Sequence, residues 1–127
     1  MIKSISFQKG FIPLIKSGKK IVTRRIKTKL KSSDVCYFKA GRLGKKEGYI
    51  KIIDVEFEDG IRGTFECLDG EEIAYELYNE GIRARRGGWY YKEDFINLWN
   101  KLNPKHKFED NPKVYRIEFK YLGENEQ

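Results

Sequence analysis

The sequence predicts an α+β fold in one domain, a compact curved sheet or small barrel of five or six short strands flanked by short helices. Three observations predict it. The 127 residues match the length of a single domain, 1–127, and suffice to bury a core without staples. Short β-branched and aromatic runs fill the first half, and the hydrophobic period then changes to that of a helix. No internal repeat, low-complexity tract or linker divides the chain.

The first strand is expected at Ile2–Phe7. Gly10–Ser17 carries Phe11, Leu14 and Ile15 at helical spacing, and Gly18 is a good terminator. Ile21–Lys27 is β-branched and extended in character, and Val35–Lys39 reads as a short aromatic strand. Tyr49–Phe57 alternates, which puts Tyr49, Lys51, Ile53, Val55 and Phe57 on one face. Ile61–Glu66 reads as another short strand. Asp69 followed by Glu72 is a capping-box pattern, and Ile73, Ala74, Leu77 and Tyr78 form the stripe of the helix it opens. Gly81 ends that helix. A second amphipathic helix spans Lys92–Leu102, with Phe95, Leu98, Trp99 and Leu102 on one face. Val114–Leu122 closes the chain as a strand in which Tyr115, Ile117, Phe119 and Tyr121 alternate.

Composition excludes several classes. Cys36 and Cys67 are too few for a disulfide framework and lack CxxC spacing. His106, the single histidine, leaves a zinc site almost no ligands, so neither metal nor cofactor is expected. There is no secretory h-region and no apolar run long enough for a bilayer, which predicts a soluble, cytoplasmic chain with no membrane partner. Abundant Lys and Glu with scarce Gln and Met resemble a thermophile's composition. The net charge of +7 is unevenly spread: residues 1–46 hold 14 Lys and Arg against one acid, residues 47–127 hold 12 against 18. A basic segment of this kind favours a polyanion or phosphorylated ligand, unless the two charge classes simply meet in the fold.

The run Gly18–Arg25 concentrates the chemistry. A threonine hydroxyl is a weak nucleophile until a base takes its proton. Lys20 becomes that base for Thr23 only where burial or neighbouring cations lower its pKa, and Lys19, Arg24 and Arg25 are such cations. On a regular strand Lys20 and Thr23 fall on opposite faces, so a shared site requires a turn or bulge after Gly18. The same residues also read as an anion-binding edge, or as solvated charges that block edge pairing. Glu80, at a helix C-terminus, meets the negative end of the dipole; it suits proton transfer or is an exposed Glu whose cost is screened.

Two further segments read as anion or nucleic-acid contacts. Arg83, Arg85 and Arg86 precede Gly87, Gly88 and Trp89-Tyr90-Tyr91, where arginines suit phosphates and aromatics suit bases, or pack as core. Arg42 and Lys45 lie in a basic, glycine-containing hairpin connection suited to a phosphate backbone, without P-loop spacing.

Taken together, these residues resemble an ASCH domain of the PUA-like superfamily over almost the whole chain. The pattern G-x-K-x-x-T-x-R after a short helix is matched by Gly18, Lys20, Thr23 and Arg25. A helix ending in Glu-Gly before a helix with Phe and Trp is matched by Glu80, Gly81, Phe95 and Trp99. A final I-E-F is matched by Ile117, Glu118 and Phe119. The resemblance implies a PUA-like small β-barrel flanked by short helices, with a cleft for RNA or a modified nucleoside. The sequence leaves the oligomeric state open, with a monomer as the expectation. Some small ASCH proteins are amidohydrolases that deacetylate N4-acetylcytidine. Their catalytic residues fall on Lys20, Thr23 and Glu80, which implies Thr23 as nucleophile, Lys20 as base and Glu80 in proton transfer. Other ASCH proteins resemble ribonucleases, and many have only an expected RNA-binding role. The segment Arg83–Tyr91 departs from the pattern by lengthening the connection after Glu-Gly, which favours a larger anionic ligand over a free nucleoside.

Overall fold

The structure is a computed structural model that describes residues 3–125. Its strands are β1 (Lys3–Phe7), β2 (Val22–Arg25), β3 (Val35–Ala40), β4 (Lys46–Glu58) and β5 (Val114–Gly123). They form one five-stranded sheet in the order β1-β3-β4-β5-β2. β1 runs parallel to β3, and every other pairing is antiparallel. The sheet curls into a half-barrel whose two edges are β1 and β2. No ladder joins these edges among the described residues. A side chain spans the seam instead: Arg25 Nη2 donates to the Ser6 carbonyl at 2.7 Å. Ile2, expected to begin β1, lies outside the described residues.

Four helices flank the sheet: α1 (Ile12–Lys16), α2 (Ile61–Glu66), α3 (Gly70–Asn79) and α4 (Lys92–Leu102). The expected first helix is split into a 3-10 turn at Lys9–Phe11 and α1. The capping box of α3 forms in both directions, Asp69 Oδ1 accepting from Glu72 N at 2.8 Å and Glu72 Oε1 from Asp69 N at 3.0 Å. α4 has the bounds its stripe predicts, with Phe95 and Trp99 buried. No helix among the described residues is long and apolar enough to cross a membrane.

Two expectations need correction. Ile61–Glu66 is a helix, not a strand. Ile61 and Phe65 are one turn apart and both fully buried, and Arg62 pairs with Glu66 at 3.1 Å across the same spacing. Six residues are too few for the sequence to separate the two periods. The second correction concerns β4. Its register against β5 shifts at Tyr49/Ile50 and again between Ile52 and Asp54, so a bulge at Ile53 changes which parity faces the core. Ile50 and Ile52 are buried, whereas Lys51, Ile53 and Phe57, expected to share a face with Tyr49 and Val55, are exposed.

The curled sheet separates two apolar clusters. Phe7, Ile15, Phe38, Ile50, Ile52, Ile117 and Phe119 fill the concave side. Phe65, Leu77, Phe95, Trp99, Phe108 and Val114 hold the helices on the convex side. Burial of each such side chain contributes about 1.5–3 kcal/mol. β5 serves both clusters, because Val114 and Ile117 differ in parity and so face opposite sides.

Candidate functional site

The conflict between Lys20 and strand alternation is resolved by the end of α1. Gly18 adopts a positive φ of 79°, and the amides of Lys19 and Lys20 both donate to the Leu14 carbonyl, at 2.9 and 3.1 Å. Lys20 therefore sits in the turn, ahead of β2, where alternation does not apply. Ile21 N then donates to Asn79 O at 2.9 Å, which ties the turn to the end of α3. Within β2 alternation does hold. Thr23 pairs with Ile117 and shares its concave face with Arg25, while Arg24 pairs with Arg116 on the convex face.

Lys20, Thr23, Arg25 and Glu80 line one cavity of about 260 Å³, walled by Phe7, Phe11, Phe95, Leu98 and Trp99. Lys20 is 2% exposed. Its Nζ donates to Val22 O at 2.7 Å and Glu80 O at 2.6 Å, lies 3.5 Å from Glu80 Oε1, and sits 4.4 Å from the centre of the Phe11 ring. Burial lowers its pKa to about 8; Arg25 and Arg24 push the same way and Glu80 opposes them. A neutral lysine has two hydrogens to donate. The two short bonds to carbonyls use both, and the contact with Glu80 Oε1 at 3.5 Å takes the third hydrogen of the charged form. Gly81 makes room for this packing: it has φ +89°, and a Cβ there would meet Lys20 Cδ and the Phe11 ring at 3.1 Å.

Thr23 Oγ1 accepts from Arg25 Nε at 3.2 Å. A cation donating to a hydroxyl oxygen favours its deprotonated form. Glu80 is the C-cap of α3 and is buried, so the exposed alternative does not hold. Its unfavourable position at the helix end is offset by Arg24, whose Nη1 donates to Glu80 Oε2 at 2.7 Å.

Arg24, expected among the ligand-facing cations, borders the cavity but is committed elsewhere. Nε and Nη2 donate to Glu58 at 2.7 and 3.0 Å, and Nη2 lies 3.0 Å from Glu76 Oε1. Burial opposes the charge of Arg24, but Glu58, Glu80 and Glu76 outweigh it and raise its pKa. Burial likewise opposes ionisation of Glu76, yet Arg116 and Arg24 hold its carboxyl below the usual range. Sequence reasoning missed Glu58 and Glu76. The signal for Glu58 was the alternation Asp54, Glu56, Glu58 running past the end assigned to that strand.

The remaining candidates do not enter this cavity. Lys19 is exposed on the turn. Arg42 lines a second, open groove, and Lys45 is exposed in the same β3–β4 connection. Arg83 lies in a separate groove beside Phe11. Arg85 makes a bidentate pair with Asp94, at 3.0 and 2.8 Å, and stacks 4.0 Å from the centre of the Tyr91 ring. Arg86 and Trp89 are exposed on a loop closed by Arg85 N donating to Trp89 O at 2.8 Å.

No protein-family model matches the chain, and no curated protein does. Solved structures do match. Protein PF0455 from Pyrococcus furiosus is 22% identical over 96% of this chain and 98% of that one, with a TM-score of 0.57. The ASCH domain from Lactobacillus crispatus is 13% identical over 93% and 77%, with a TM-score of 0.62. ASCH from Zymomonas mobilis is 17% identical over 92% and 65%, with a TM-score of 0.54. The architecture is thus of the α+β class shared by these structures. More particularly, the chain has an ASCH-like fold.

Proposed function

We propose that the cavity is an amide-hydrolysing centre acting on an acylated cytidine such as N4-acetylcytidine. The observation that carries this reading is one buried lysine, with its pKa lowered to about 8, lining the same cavity as Thr23 and Glu80. The volume of about 260 Å³ falls just below the usual range for small-molecule pockets, roughly 300–1,000 Å³, and suits a single base rather than a duplex.

On this reading the Thr23 hydroxyl proton moves to neutral Lys20 as Oγ1 bonds to the acyl carbon. The amide C–N bond breaks, and the leaving nitrogen takes a proton from Lys20, with Glu80 balancing the charge. Water then adds to the ester carbon, giving its proton to Lys20; the ester C–O bond breaks, the carboxylic acid leaves, and Lys20 returns the proton to Thr23 Oγ1. Thr23 Oγ1 is bonded to Arg25 Nε and Lys20 Nζ to Val22 O and Glu80, so the Thr23–Lys20 contact would form only with substrate bound. Incubation with N4-acetylcytidine and chromatography for cytidine tests the proposal. Lys20→Met should lose about 10²–10⁴ in rate. Absence of product, or full activity in Thr23→Ala, would refute it.

The basic segment 1–46 favours a second reading, binding of RNA or a nucleoside without hydrolysis. It predicts that Thr23→Ala leaves affinity intact and that wild type releases no cytidine.

A further inference from the structure

The catalytic cavity shares Ser6 and Arg25 with an open groove of about 1010 Å³, which follows the β1 edge and the segment 26–30. Lys3, Arg25, Lys27, Lys29 and Arg42 line this groove, and no carboxylate does. Some cations on or beside the sheet are matched, Arg24 by Glu58, Arg116 by Glu76 and Lys16 by Glu47. Here Lys3 is matched by Asp34 at 2.9 Å, but Lys27, Lys29 and Arg42 have no ion pair among the described residues. Like charges gathered in a concavity repel one another and raise the local concentration of anions. Ser4, Ser6 and Thr28 also line the groove and add hydroxyl groups.

Arg25 connects the two spaces. Its Nε bonds the Thr23 hydroxyl and its Nη2 the Ser6 carbonyl, so one guanidinium forms part of the wall of both. In an acylated nucleotide the pyrimidine ring and the ribose both lie between the acyl carbon and the 5′ phosphate, so a base reacting at Thr23 carries its phosphate well beyond that residue.

We propose that the groove is a phosphate subsite, so that the substrate is an acylated nucleotide with its base in the cavity and its phosphate against Lys27, Lys29 and Arg42. The proposal rests on the nucleoside reading of the cavity and adds a substrate class to it. A multidentate oxyanion matches an arginine fork beside two ammonium groups and hydroxyls better than a neutral sugar does.

The test compares kcat/KM for N4-acetylcytidine, its 5′-monophosphate, and a short single-stranded oligonucleotide containing the same base. The phosphorylated substrates should gain about tenfold or more, through KM. A gain already present in the monophosphate assigns the subsite to a phosphomonoester, and a gain confined to the oligonucleotide assigns it to a phosphodiester. The combined variant Lys27→Ser, Lys29→Ser, Arg42→Ser should lose the gain. Its three replaced side chains are exposed, so the fold should hold. Lys105→Ser, Lys107→Ser, Lys113→Ser removes the same charge from other exposed positions and should keep the gain. Equal kcat/KM for all three substrates overturns the subsite and leaves the hydrolytic reading standing, as does loss of the gain in the second variant. If no substrate is cleaved, the hydrolytic reading falls alone, and calorimetry decides the subsite. Cytidine 5′-monophosphate binding about tenfold tighter than cytidine supports it, and equal affinity overturns it.

Discussion

Lys20 has an ordinary pKa of 10.5, lowered to about 8 by burial. As the base of the proposed hydrolysis it would work only when neutral, so kcat/KM should rise with pH and level off above about 8. A flat profile between pH 6 and 9 would refute that role. The same shift affects folding. Between pH 8 and 10.5 the unfolded chain holds the Lys20 proton and the folded chain has released it, so stability from this group rises with pH across that window. Below pH 8 both states are protonated and the slope vanishes. The full effect is roughly 3 kcal/mol. It is read as the difference between wild type and Lys20→Met in urea midpoints at pH 8 and pH 10. The sequence showed these atoms to be near one another along the chain and marked Glu80 as a residue breaking a helix-end rule. It did not show the fate of Arg24, whose carboxylate partners Glu58 and Glu80 lie 34 and 56 positions away.

At the level of elements, β2 separates its charges by parity. Arg25 faces the cavity, while Arg24 holds α3 to the convex face through Glu76 and Glu80. Removing charge from one partner should therefore loosen an element as well as a bond. Glu58→Gln should cost roughly 2 kcal/mol in urea unfolding. It should also lower kcat more than it raises KM, because Glu58 lines no part of the cavity yet fixes the arginine that orients Glu80. No loss in either measurement would show that Glu76 and Glu80 suffice to hold Arg24. Elements were legible where their signal was long or capped, as in α3 and α4. They were not legible where a bulge reversed parity at Ile53, or where Ile61 and Phe65 gave one turn of a helix in only six residues.

At the level of the molecule, the charge division seen in the sequence survives folding only in part, because Arg24, Lys20 and Lys16 meet Glu58, Glu80 and Glu47 of the acidic part. The basic first third supplies β1, β2, β3 and the groove, while acidic residues occupy the exposed start of α3 at Asp69, Glu71 and Glu72. Affinity for single-stranded RNA should then fall with salt, with a slope of about −0.7 per phosphate neutralised. A slope near zero across a salt series would remove the polyanion reading. Chain length and local period foretold the curled sheet, but not that its edges remain apart, because that depends on which strand ends its pairing first.

The unclosed seam has a kinetic consequence. In a closed hoop of strands, admitting a molecule between two neighbours would break several backbone bonds together. Here the Arg25–Ser6 link is one charged hydrogen bond, worth about 1.5–3 kcal/mol. Breaking it alone corresponds to an open population on the order of one to several per cent. Parting the seam at that bond breaks no strand ladder among the described residues.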